Sequence, residues 1–60
     1  MSRIDVTVGD KGFNIMVNFI KRGTTFKSPA IANHEAQVLH DTEYPLYQVN
    51  LIKVAGGVGV

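Results

Sequence analysis

Two runs of strict alternation separated by a short break restrict this chain's fold more than any other feature. In "RIDVTV" the β-branched Ile4, Val6 and Val8 lie on one side, with Arg3, Asp5 and Thr7 on the other. That period of two predicts a half-buried strand. "GDKG" follows, and Gly9 and Gly12 can both take positive φ, so a hairpin loop is expected there. The second run extends from about Phe13 to Lys21. Phe13, Ile15, Val17 and Phe19 point one way, while Asn14, Met16, Asn18 and Ile20 point the other. The first set reads as core. The second is neither a charged solvent face nor a full core.

Further along, Arg22-Gly23 suggests a second turn, after which "TTFK" can return as a short third strand. Ser28-Pro29 is a good helix start, with serine as cap and proline at the first helical position. Asn33 competes as the cap. Between Ile31 and Asp41 the apolar arc holds Ile31, Ala32, Ala36, Val38 and Leu39, and Glu35 falls inside it. Burying an unpaired carboxylate is costly. A start at Asn33 is therefore favoured, because it sets Glu35 in the first turn beside the positive end of the helix dipole. Pro45 disfavours helix at Tyr44. "LYQVNLIKVA" then reads as a last strand, with Tyr47, Val49 and Leu51 opposite Leu46, Gln48, Asn50 and Ile52.

The expected fold is a small α+β two-layer sandwich, ordered β-β-(β)-α-β. Its sheet has three or four mainly antiparallel strands, and its single helix covers one face. The last strand can lie parallel to its predecessor or beside the first; the pattern does not choose. Residues 1–54 form the expected single domain and 55–60, "GGVGV" with its preceding alanine, a flexible C-terminal tail.

With 60 residues there is room for one core only. Hydrophobic content of 45% and charged content of 18% place the chain among globular proteins. A domain of this size hides only about 60% of its unfolded surface, and small domains commonly rely on disulfides, metal or a partner. The chain has no cysteine, which removes bridges and thiolate metal sites and fits a reducing cytoplasm. Good packing or self-association is left as the stabiliser. The formal charge of +1 gives no long-range field of the kind a dedicated nucleic-acid binder carries. No apolar stretch approaches the roughly 20 residues of a membrane span, and the expected setting is soluble and cytoplasmic.

No residue set suggests catalysis, and no metal or other cofactor is expected. His34, Glu35, His40 and Asp41 are the one cluster with chemical character, but a helical zinc pair needs histidines four apart. His34 and His40 are six apart, which is about 120° around a helix. Lys21, Arg22 and Lys27 flank the expected second turn with Phe26 among them, and could contact phosphates or simply keep a hairpin tip soluble. The second face of the central strand is either a half-wetted sheet surface or a docking surface. Asn14, Met16, Asn18 and Ile20 would carry the docking, joined by Gln48, Asn50 and Ile52 of the last strand.

Val8, Lys11 and Phe13 open the second strand; Phe26, Pro29 and Ala32 follow at three-residue steps. "HEA" (His34 to Ala36), "EYP" (Glu43 to Pro45) and the closing "YQVNLIKV" complete a pattern running roughly from Ile4 to Val54. It resembles the small podovirus inhibitors of bacterial RNA polymerase, which have a β-β-α-β fold. The resemblance implies a non-catalytic inhibitor or adaptor docking on a large host enzyme in the host cytoplasm. Two other classes stay open: a homo-oligomeric structural protein whose sheets meet on the Met16 face, and a nucleic-acid-binding regulator using the basic turn.

Overall fold

The computed structural model describes residues 2–53; the expected tail, 55–60, lies outside them. Strand β1 (Arg3–Gly9) leads through Asp10-Lys11 into β2 (Gly12–Val17), then β3 (Ile20–Phe26), helix α1 (Pro29–Glu43) and β4 (Gln48–Asn50). They form one four-stranded sheet in the order β3-β2-β1-β4, with α1 packed on one face. This is the expected small α+β sandwich. The choice that the pattern left open falls to the second option, since β4 crosses over the helix to lie beside β1 and parallel to it.

The β1–β2 hairpin follows its alternation. Ile4 stands opposite Val17, Val6 opposite Ile15, and Val8 opposite Phe13. Ile4, Val6 and Ile15 are buried beneath Ala32 and Ala36 of the helix, and Phe13, Val17, Phe26, Leu39 and Val49 pack around them. Small residues at 32 and 36 let the helix backbone approach the sheet closely. Gly12 is required at the loop: its φ is +143°, and a Cβ there would sit 2.3 Å from the Phe26 carbonyl oxygen.

Four boundaries differ from expectation. The long second strand is broken: Asn18 and Phe19 take φ of 50° and 69° and make a two-residue turn, so Ile20 and Lys21 belong to β3. Positive φ at both central residues is the hairpin geometry of a type I′ turn, for which asparagine is a natural first residue. Arg22-Gly23 is accordingly no hairpin turn. Gly23, at φ +78°, lies within β3 at an irregularity between the Phe13–Phe26 and Ile15–Arg22 pairs. There Asn14 faces Gly23, Thr24 and Thr25 together, which makes a β-bulge.

The helix starts at Pro29 with Ser28 as its cap, rather than at Asn33. Glu35 raises no objection, because it is exposed. The buried arc centres on Ala32 and Ala36 and leaves Ile31 and Val38 on the exposed flank. Finally, β4 keeps only three residues, Gln48–Asn50, of the long closing strand.

Candidate functional site

The broken strand redistributes the residues expected on one docking face. Register places Met16 between Asp5 on β1 and Lys21 on β3, on the sheet face away from the helix. Asn14 shares that face, as do Gln48 and Asn50, which are aligned with Arg3 and Asp5. Ile20 does not, since it pairs with Val17 and so stands on the helix side of the edge strand. Ile52 packs against the core. Asn18 sits in the turn, where its amide N–H donates to the Arg3 carbonyl at 2.9 Å and its Oδ1 accepts from the Arg3 N–H at 3.0 Å. It therefore pins the start of β1.

What remains of the open face is largely a closed polar network. Arg3 Nε and Nη2 each donate to the Asp5 carboxylate at 2.9 Å, and Asn50 Nδ2 donates to Asp5 Oδ1 at 3.0 Å. Thr25 Oγ1 donates to Asn14 Oδ1 at 2.6 Å, across the bulge. The bonds from Arg3 and Asn50 hold Asp5 below the usual carboxylate range: the Arg3 hydrogen bond dominates, burial opposes it, and Asn50 and the Arg3 charge assist. A depressed carboxylate stabilises the fold above its unfolded-state value and loses that contribution as pH falls through the folded one. Acid titration of wild type should therefore lower the melting temperature below about pH 4. In Asp5→Asn that acid-side slope should be visibly shallower, as differential scanning calorimetry would read.

The basic residues separate as well. Arg22, opposite Ile15 and hence on the helix side, donates to Tyr44 Oη at 2.7 Å and to Glu43 Oε1 at 2.9 Å. Its guanidinium also lies 5.6 Å from the Tyr44 ring centroid. Lys21 projects on the opposite face, and Lys27 follows β3 in the connection to the helix. The three do not converge on one anion position.

On the helix, His40 is tied inward. Its Nε2 lies 2.9 Å from the Tyr47 carbonyl, which can only accept, and its Nδ1 lies 2.8 Å from Asp41 Oδ1. The His40 hydrogen bond first, and a second from Gln37 Nε2, which donates to Asp41 Oδ1 at 3.0 Å, depress the Asp41 carboxyl, with burial opposing them. His34 is exposed on the helix. Among the described residues, no three His, Cys, Asp or Glu side chains gather as a metal site. A shallow open hollow lies at the start of β4, lined by Ser2, Leu46, Tyr47 and Gln48. No helix among the described residues is long and apolar enough to cross a membrane.

The largest reversal among the core residues expected from sequence is at the β2–β3 turn. Phe19, counted as core by alternation, is 71% exposed at the tip of the β2–β3 hairpin, and Ile20 beside it is equally exposed. The Arg3 guanidinium lies 5.3 Å from its ring centroid. The signal that could have found it is Asn18, because asparagine within an alternating run is a residue that tolerates the left-handed region. The usual glycine after it is missing, which hides the turn.

The described residues thus form a small one-helix α+β domain, and its exposed large apolar side chains are Phe19 and Ile20 at a hairpin tip, Val8 at the end of β1, Ile31 and Val38 on the helix, and Leu46 and Leu51 flanking β4, none of them over the open sheet face. Comparison with protein-family models, curated proteins and solved structures finds no match.

Proposed function

We propose that this chain is a non-catalytic protein-binding module that docks through the Asn18–Ile20 tip. On this reading it is of the inhibitor or adaptor kind, and a bacterial enzyme such as RNA polymerase is the first partner to test. The observation that carries the reading is Phe19 itself. It holds φ +69°, a region that costs a residue with a side chain about 1–2 kcal/mol. Glycine would occupy the same turn position without that cost. The contact with Arg3 recovers only about 0.5–1 kcal/mol at an exposed site. Strained backbone that displays a large apolar ring to solvent is a pattern of recognition sites. Ile20 follows it on the helix side of the sheet and Lys21 adds a positive charge on the opposite face, so the matching surface is an apolar pocket that takes the Phe19 ring, with an acidic group on its Lys21 side.

The experiment is capture from bacterial lysate with tagged wild type and tagged Phe19→Gly, followed by a transcription assay if RNA polymerase subunits are retained. Wild type should retain a defined protein. Phe19→Gly should lose it while melting no lower than wild type, and up to about 4–8 °C higher if about 1 kcal/mol of strain is relieved. Equal capture by the variant would remove the tip from the reading, and a lower melting temperature would show that the ring stabilises the fold.

A further inference from the structure

The two edges of the sheet are built differently. The β3 edge carries Lys21 and Arg22 and is bent by the bulge at Gly23, devices that discourage another strand from adding. The β4 edge, Gln48–Asn50, carries no charge and no bulge. Its backbone groups can be followed one by one. Gln48 N–H donates to the Ser2 carbonyl at 3.1 Å, and the parallel register aligns Gln48 with Arg3 and Asn50 with Asp5. Gln48 and Asn50 thus turn their peptide groups toward β1, and by alternation Val49 turns its own outward.

The flanks are already occupied. The Tyr47 carbonyl meets His40 Nε2, and both peptide groups of Ile52 meet the Asn33 carboxamide. Leu51, of the same parity as Val49, has no backbone hydrogen bond among the described residues, and its side chain is 45% exposed. The unfilled positions are therefore Val49 and Leu51, with Asn50 between them.

We propose that this edge pairs antiparallel with the same edge of a second copy of the chain, with Asn50 on the two-fold axis. Val49 then lies opposite Leu51 of the second copy, and Leu51 opposite Val49, each pair exchanging two N–H···O bonds. The two four-stranded sheets join into one. In this register Lys53 falls opposite Tyr47 of the second copy, so no like charges meet. A second copy suits the edge better than a disordered peptide does. Ordering a peptide costs about 1–2 kcal/mol per residue, against only two outward residues, whereas a second copy brings an ordered strand. Leu46, 97% exposed just before β4, would be brought to the seam twice by the same symmetry. The inference is independent of the role given to Phe19.

Sedimentation equilibrium of the full chain, combined with amide hydrogen exchange, tests it. The apparent mass should rise from 6.6 kDa toward twice that value as concentration approaches about 1 mM. Val49 and Leu51 amides should gain protection in step with the mass, while Gln48 and Asn50 stay protected throughout. Leu51→Pro removes one outward N–H without touching β1, and should weaken association at least tenfold. Leu51→Lys, which places a charge on the edge, should do the same and serves if the proline variant does not fold. A monomer throughout the series would overturn the proposal. So would a dimer whose Val49 and Leu51 amides exchange freely, or one that survives the substitutions.

Discussion

Ile4→Ala is expected to cost about 2–5 kcal/mol and to leave most of the chain unfolded near 37 °C. Among the described residues Ile4 is the one large side chain that is fully buried, at 0% exposure. It lies on β1 between Val17 of β2 and Val49 of β4, on the face that Ala32 and Ala36 cover. The cavity left by truncation would thus open where three strands and the helix meet. Short alanines offer little that could move in to fill it. At about 0.05–0.15 kcal/mol per residue, a chain of this length holds only about 3–9 kcal/mol, so the loss is comparable to the whole. Urea unfolding followed by far-ultraviolet circular dichroism reads it directly. Val8→Ala is the control: Val8 has the same alternation and chemistry but is exposed, and its substitution should stay within about 0.5 kcal/mol. Equal losses at the two positions would mean that the core is not centred on Ile4.

That contrast marks what was legible in the sequence. Alternation identified the inward side of β1 and of β2 as far as Val17, because burial on one face of a strand has a period of two whatever the tertiary context. It could not say that Val8 lies beyond the helix's cover, since coverage depends on where α1 crosses the sheet. The same limit applies to α1. Its apolar arc was visible, but Ala32 and Ala36 face the sheet while the larger Ile31 and Val38 do not, because close approach favours small residues over large ones. Ser28-Pro29 is legible as a cap, and the objection from Glu35 does not hold because the buried arc is rotated toward Ala32 and Ala36 and leaves Glu35 exposed. The candidate site fared worse, for one local reason. Asn18-Phe19 lacks the glycine that announces a hairpin turn, so alternation carried across it puts Ile20 on the wrong face and Phe19 in the core. Met16 and Asn14 keep their place, Ile20 changes sides, and the Phe19 ring expected in the core stands exposed at the tip together with Ile20.

Asn33 was read as a helix cap, and its actual position supports the second large effect. Its carboxamide holds Ile52 at both peptide groups: Nδ2 donates to the Ile52 carbonyl at 2.6 Å, and Oδ1 accepts the Ile52 N–H at 3.0 Å. By register, Ile52 would otherwise have paired beside Thr7 of β1, so a side-chain amide takes over where the β1–β4 ladder stops. Both contacts are partly shielded from water. Asn33→Ala removes them together and leaves an N–H and a C=O to find water, a loss of about 1–3 kcal/mol. The effect should also be local. The β1–β4 ladder spans three residues, and with Ile52 released the His40–Tyr47 contact would be the one hydrogen bond among the described residues joining the segment to the helix, leaving the apolar packing of Tyr47 and Val49 to hold the rest. Hydrogen exchange in Asn33→Ala should therefore deprotect the Gln48 and Asn50 amides by about tenfold or more, while the β1–β2 amides change only by the shift in global stability. Asn33→Asp separates the two bonds, because a carboxylate can still accept from the Ile52 N–H but would face the Ile52 carbonyl with no proton to offer. It should lose about as much as alanine near neutral pH and recover part of the loss when protonated below about pH 4. Uniform deprotection of all four strands would instead make Asn33 a part of the global core, and would take away the independent opening of β4.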